Sequence, residues 1–543
     1  MKLNTILKIF LVQVFIFVFA SCNDDDFLDK KPLDTLVTGN FYKTAEGIQL
    51  AANAIYAPLG EEGFNGKTIW MIGDGASDDA QPNGEDPDYI PIDEFSLSSD
   101  NPRNNDMWRI IYRMIALANI VIENVDGNSA SEDILNRVTG EALTLRAYGY
   151  FVLVRIYSDI PLILDGMTPE ELEAPSRTPA AAVFKQIISD LEKAIELLPA
   201  RSEYSGNDIA RVNKHAAMGI LAKVYMTIAG DLTMFDTEEN ADNSSQIAAI
   251  ADNTNCYSTA LELCDNIINS GEYQILPNFG DLFTREGDNC AESIWQLQFI
   301  GCGERHGSGN MMNAFFAPWD SKITNAGDGW GTHSPHEDLI AAFYPHPDSL
   351  YNHHNGGNGV DTLLLPPADK RFVHTIMFPG VEYTNLPVGD EGIPYALPYN
   401  YGKSGFAVRK YVIGSGSDVC SLKAPNNVYL LRYADIFLLK AECLVELGRH
   451  AQAAAVLDPI RERAGLEMIS SSLSQEEMRA AVRLERRREL AIEQQRWFDM
   501  LRWGIAVDKL QSLGINIVPE RRLFPIPSNE LILNKNLVQN KTY

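Results

Sequence analysis

Flat aromatic rings set beside amides and carboxylates can hold a sugar. The rings cover the apolar face of a pyranose, and the polar groups reach its hydroxyls. Two loop-rich stretches of the chain carry that set. The first, from about residue 60 to 106, offers Trp70, Asp78, Asp79, Tyr89, Asn101, Arg103, Asn104 and Asn105; the second offers Trp319, Trp330, Tyr344 and Tyr351. For any one of these rings, ordinary packing is the competing role.

Other chemistries find less support. Asp78-Asp79 and Glu61-Glu62 are paired carboxylates, but glycoside hydrolysis needs two such groups ~5–9 Å apart in space, which adjacency does not supply. The sequence has no Gly-x-Ser-x-Gly, no His-Glu-x-x-His and no phosphate-cradling glycine loop. The expectation is a protein that is not an enzyme. His306, His333, His336, His346, His353 and His354 cluster in one stretch. His333 and His336 could share a helical face and join the others around a metal, but polar loop residues are the favoured reading. The acidic runs Asp74–Asp79 and Asp86–Asp93 lack the spacing of a calcium loop, so a structural calcium has weak support. No cofactor is expected. The charges from Glu485 to Arg496 alternate at helical spacing and read as ion pairs on a solvated or interdomain face.

Composition sets the frame. At 543 residues the chain is too long for one core and should hold roughly two to four units or one repeat array. Its 45 Lys+Arg against 73 Asp+Glu give a charge of −28, the wrong sign for a nucleic-acid partner. Seven cysteines without any Cys-x-x-Cys pair support neither a disulfide scaffold nor a zinc site. Cys264 and Cys443 sit at helical spacing among apolar residues, as packed thiols do. An oxidising compartment would allow a Cys290–Cys302 bridge or leave both as thiols.

The first residues carry an address. Lys2 and Lys8 precede an apolar run from Ile9 to Ala20, too short to span a bilayer and suited to a secretory leader. Phe19-Ala20-Ser21-Cys22 resembles a bacterial lipobox, apart from Phe19 where leucine is usual. It implies a leader over residues 1–21 and an acylated Cys22. The following Asn23-Asp24-Asp25-Asp26 resembles the signal that sends Bacteroidetes lipoproteins to the outer surface; as a bare charge run it would equally serve as a solvated tether, here residues 22–40. The protein reads as anchored to the outer membrane by lipid and facing the cell surface.

Helical periodicity supplies the elements. Ile48-Ala52-Ile55, Ile187-Leu191-Ala194, Ala260-Cys264-Ile267 and Ala453-Leu457-Ile460 share an apolar spacing of four then three. Ala147-Tyr150-Val154, Ala222-Tyr225-Ala229 and Ala441-Leu444-Gly448 share three then four. Each triad lies on one helical face, and the pairing resembles the tetratricopeptide unit of about 34 residues. The fold class read from this is mostly α: a helical superhelix with a loop-rich, partly β ligand-binding subdomain. Helical pairs would fill 41–270 apart from the 60–106 insertion. Residues 271–428, rich in Gly, Pro and Asn, would form the irregular subdomain, with the short apolar runs Ser293–Phe299 and Phe406–Ile413 as strands or irregular structure. Residues 429–543 would carry the last pair.

The motifs of the C-terminal third resemble one family. Leu431-Arg432-Tyr433-Ala434-Asp435, Arg461-Glu462-Arg463-Ala464-Gly465, Glu485-Arg486-Arg487-Arg488-Glu489, Arg496-Trp497-Phe498-Asp499 and Phe524-Pro525-Ile526-Pro527 stand in the order of the SusD/RagB outer-membrane nutrient-binding lipoproteins. Phe27-Leu28-Asp29, Trp108, Leu145-Arg146-Ala147-Tyr148 and Asp159-Ile160-Pro161-Leu162 extend the resemblance over the mature chain. The closing Asn540-Lys541-Thr542-Tyr543 departs from the family's Asn-Pro-Gly-Tyr. The resemblance implies capture of an oligosaccharide, or of a peptide, as the hinged lid of a SusC-like TonB-dependent transporter. Its repeats would meet the transporter and its irregular half would hold the ligand. It also implies that the stretch before the Trp108 helix contributes to the pocket. A helical-repeat scaffold without a small-molecule site is the reading from another class.

Overall fold

The computed structural model describes residues 41–84, 86–165, 175–301, 309–319, 329–344, 368–377, 382–383, 395–396, 404–414 and 423–543. The leader, Cys22 and the tether lie outside these, as do Tyr351, Cys302 and His306, His346, His353 and His354.

Five of the seven triads read from the sequence lie wholly on long helices, and the other two end just past theirs, at Ala229 and Gly448. The ends of these helices are built as their residues require. α1 (Ala45–Tyr56) starts under Thr44, whose hydroxyl accepts the Gly47 N–H. α2 (Pro102–Glu123) starts with proline under Asn101, which accepts two N–H groups. α3 (Glu132–Tyr157), α4 (Ala180–Leu197), α5 (Lys214–Ile228) and α6 (Asn253–Asn269) follow. After a long excursion come α7 (Tyr433–Glu446), α8 (His450–Ala464), α9 (Gln475–Leu490, opened by a Ser474/Glu477 capping box) and α10 (Arg496–Arg502). Every residue of the four triads with spacing four then three is fully buried. Among the other three, Tyr225 is only half-buried, and Gly448 lies past α7 as an exposed turn residue at φ 73°.

From α2 to α8 each helix packs on the next, and α1 lies against α2 and α3. The decisive contact is α6 on α7, since more than 150 residues of chain separate them. The stack therefore runs unbroken past the excursion, which leaves after α6 and returns at α7.

The excursion holds most of the short strands. Four two-stranded antiparallel sheets occur among the described residues: β1 (Ala80–Pro82) with β3 (His333–Pro335), β2 (Ser293–Leu297) with β8 (Val428–Arg432), β4 (Ile376–Met377) with β7 (Ala407–Val408), and β5 (Glu382–Tyr383) with β6 (Tyr395–Ala396). The β2–β8 pair closes the neck of the excursion. β7 is shorter than the strand read from Phe406–Ile413 because Tyr411 at φ 63° turns the chain.

Buried ion pairs lock the excursion to the helices. Arg432 bonds Glu292 at 3.0 Å and Glu493 at 2.7 Å; Arg463 bonds Glu292 at 2.8 Å and also reaches Glu489. Arg371 joins Asp369 at 2.7 Å, Glu485 at 2.7 Å and Glu489 at 2.9 Å, and Lys410 meets Glu493 at 2.7 Å. Burial pushes the Lys410 ammonium down to about 8 despite Glu493 beside it. Glu489 goes the other way: burial would raise it, but Arg463, Arg432 and Arg371 together hold it well below the usual carboxylate range. The charges from Glu485 to Arg496 thus serve an interface, as one of the two expected settings has it. It is an enclosed interface rather than a solvated one.

Candidate ligand-binding face

The first insertion is fixed from below. After α1 the chain passes a 3-10 turn, Ala57–Gly60, and tight π-helical turns at Glu62–Gly66 and Met71–Gly75. Between the latter, Trp70 is fully buried and donates its indole N–H to the Gly66 carbonyl at 2.9 Å. Its ring packs edge-on against His333, Phe316 and Tyr89, with centroids 4.7, 5.2 and 5.7 Å away. The β1–β3 ladder, pairing Pro82 with His333, brings the second insertion onto the first. The Tyr89 hydroxyl lies 2.7 Å from His333 Nδ1. Burial holds His333 down to about 3, so the ring is neutral at ordinary pH.

Most first-insertion residues expected at a ligand are committed to the interior instead. Asp78 is fully buried, and its carboxylate takes a two-pronged bond from Arg496 at 2.6 and 2.8 Å. Burial would raise its pKa, but Arg487 and Arg496 hold the carboxyl well below the usual range. Asp79 is bonded by Arg487 at 2.7 Å, and Tyr89 is spent on His333. Asn104 donates to the Pro525 carbonyl at 2.8 Å and accepts from Tyr157 at 2.9 Å. Asn101 caps α2 and donates to the Asp88 carbonyl at 3.1 Å. Arg103, half-buried, pairs with Asp88 at 3.2 Å and Asp106 at 3.5 Å. These residues build the floor of the face, and the four enclosed ones, Asp78, Asp79, Tyr89 and Asn104, offer no atom to a ligand. Their partners lie in distant parts of the chain, which is why local composition suggested a different role.

The second insertion behaves differently. Trp319 is 52% exposed and Trp330 is 45% exposed; they are the only aromatic residues among the exposed large hydrophobics of the described chain. A parallel bridge joins Trp319 to Gly329. A side chain at Gly329 would strike the Ala317 carbonyl oxygen at 2.4 Å, so this close approach requires glycine. The Trp330 ring stands edge-on to Phe315 at 4.9 Å, and its backbone N–H bonds the Ala314 carbonyl at 2.8 Å. Lys67 lies over the Phe315 ring at 4.8 Å, tying this platform to the first insertion. Tyr344 is half-buried against Phe372 at 5.8 Å, and burial pushes its hydroxyl up to about 12. Composition singled out neither Lys67 nor Phe315, since a lone lysine and a lone phenylalanine carry no pattern.

His333 and His336 do not share a helical face. The first is on β3, and the second caps the short helix Glu337–Ala342 through Nδ1. Among the described residues, no group of three His, Cys, Asp or Glu could hold a metal. Cys290 is a free thiol 3.3 Å from the Tyr429 hydroxyl. Cys264 and Cys443 are buried on the neighbouring helices α6 and α7, where desolvation pushes both thiols up.

A family model described as the SusD family matches residues 291–543, and one described as starch-binding associating with outer membrane matches residues 26–226. The chain belongs to the SusD family. A SusD-like protein of Formosa agariphila is 26% identical to it over 571 aligned positions, covering 98% of each. A SusD-like protein of Bacteroides ovatus is 25% identical, over 91% of this chain and 82% of that one. Solved structures share the fold. A SusD homologue of Bacteroides thetaiotaomicron superposes with a TM-score of 0.75 at 19% identity, over 93% of this chain and 98% of its own. A laminarin-binding SusD-like protein gives 0.70 at 24%, over 92% and 100%. Surface glycan-binding protein A of Bacteroides fluxus gives 0.70 at 21%, over 92% and 99%. No helix among the described residues is long and apolar enough to cross a membrane.

Proposed function

We propose that this SusD-family chain captures a glycan at the outer surface of the cell and passes it to a SusC-like TonB-dependent transporter, on which it sits as a lid. Cys22, acylated after removal of the leader, is its anchor. The observation that carries the glycan reading is the pair Trp319 and Trp330, two half-exposed indoles, the second braced edge-on by the buried Phe315. Leaving such rings in water has a cost that stacking on a pyranose would recover. Capture is by stacking and hydrogen bonding, with the bound sugar unchanged. The family likeness to a laminarin-binding protein and a surface glycan-binding protein supports the ligand class.

The test is calorimetric titration of residues 23–543 with a glycan panel and with short peptides. Saturable heat with one glycan class, weakened about tenfold by Trp319→Ala or Trp330→Ala, is the expected result. Peptide binding alone would replace the ligand class, and shortened sugars after incubation would replace binding by catalysis. For the anchor, Cys22→Ala should release the protein from membranes. For the lid, the native protein should purify with a TonB-dependent barrel; failure to do so removes the partner.

A further inference from the structure

A second concave site lies away from the tryptophan platform. Its cavity of 540 Å³ is walled by the end of α1, the turn after it, the 3-10 turn Gly206–Ala210 and the end of β2. That volume falls in the ~300–1,000 Å³ range of small-ligand sites. Phe299 and Tyr56 give the cavity its aromatic walls, and Gly60 comes within 3.7 Å of the Phe299 ring when given a Cβ.

The charge pattern of the lining selects the ligand. Glu61 is bonded by Arg113. Arg211 is shared by Asp208 at 2.5 Å and the fully buried Glu141 at 3.0 Å. The Tyr56 hydroxyl donates to Glu141 at 2.9 Å. Each charged group in the wall is thus neutralised by a neighbour, and an ionic ligand would have to break a pair to bind. Two amides remain, Asn53 on α1 and Asn207 on the facing turn. Both are exposed, line the cavity and have no bonding partner among the described residues. An amide can donate and accept at once, as a hydroxyl does. Free amides over aromatic walls, with no unpaired charge, suit an uncharged and hydroxyl-rich molecule.

We infer that this cavity is an accessory binding site for a neutral saccharide, separate from the Trp319/Trp330 platform. The inference takes its ligand class from the proposed glycan-capture function. The chain from Glu61 to Lys67 connects the two sites. Glu61 lines the cavity, one π-helical turn follows, and Lys67 covers the Phe315 ring that braces Trp330.

The test uses the full mature chain and neutral gluco-, galacto-, manno- and xylo-oligosaccharides as probes. Three variants are compared with the wild type: Asn53→Ala with Asn207→Ala, Asn207→Trp to fill the cavity, and Trp319→Ala with Trp330→Ala. The first two alter exposed side chains, and an unchanged melting temperature verifies their folding. The expected result is affinity at least about fivefold weaker in both cavity variants, two lost hydrogen bonds being worth that much. Wild-type affinity in both cavity variants, with binding lost in the tryptophan variant, would overturn the accessory site and leave the glycan function standing. A wild type that binds none of the sugars would overturn both. Binding of a neutral unstructured peptide, blocked by the cavity variants while sugars are ignored, would overturn the saccharide assignment.

Discussion

At the scale of single residues, side chains of similar chemistry have opposite fates, and the partner decides which. By its neighbours in sequence alone, Asp78 reads as a sugar-binding carboxylate. Arg487 and Arg496, more than 400 positions away, enclose it. Removing one member of a buried pair strands the other, at a cost of roughly 3–5 kcal/mol. Asp78→Ala should therefore lower the urea midpoint sharply; an unchanged midpoint would show that the site is open to water. His333 makes a second prediction. Its folded pKa of about 3 lies below the ordinary value near 6.5, so the unfolded chain takes up the proton first as pH falls. The stability it contributes is whole above pH ~6.5 and is lost on acidification towards 3, about 2–3 kcal/mol of it by pH ~4.5. A His333→Gln variant, whose amide has no proton to gain in this range, should show a flatter profile between pH ~6.5 and ~4.5. Identical slopes would contradict the burial argument. Trp319 and Trp330 are readable as candidates from the sequence because flat rings in a loop-rich stretch are the groups that cover the apolar face of a pyranose.

Among the elements, the long helices are the most legible in the sequence, through their periodicity. A triad at spacings of three and four describes one face of one helix, so a single segment contains all that is needed to place it. The tight turns of the insertion contain no such pattern. Their shape depends on the loop between α9 and α10, where Ile492 and Gln494 sit at φ 59° and 67°. That loop is pinned from several sides. Asp74 accepts the Gln494 N–H at 2.9 Å, and Lys410 donates to the Glu489 and Ala491 carbonyls at 3.1 and 2.7 Å. Gly73 is what lets the insertion close on it, since a Cβ there would stand 2.4 Å from the Gln494 carbonyl oxygen. Gly73→Ala should cost roughly 1–3 kcal/mol by overpacking and loosen residues 60–106 before the stack unfolds. Limited proteolysis, with cuts appearing first in that stretch, would verify it. Equal resistance in both proteins would mean that the backbone absorbs the methyl group.

For the molecule as a whole, the ion pairs that matter are enclosed, while the excess negative charge is distributed over the chain. Salt screens exposed charges and leaves buried pairs largely alone. Raising salt from about 0.05 to about 0.5 M should therefore leave the melting temperature unchanged or higher, as repulsion among surface carboxylates fades. A falling melting temperature would show that exposed pairs hold the fold. The contact of α6 with α7 has a different consequence. The helical stack closes beneath the excursion, and buried charges join the two parts, Glu292, Asp369, Arg371, Lys410 and Arg432 among them. Across related lineages those five positions should change slowly along with the helical core, while the loops between them diverge quickly, so that ligand preference drifts on a frame whose history is far more conservative.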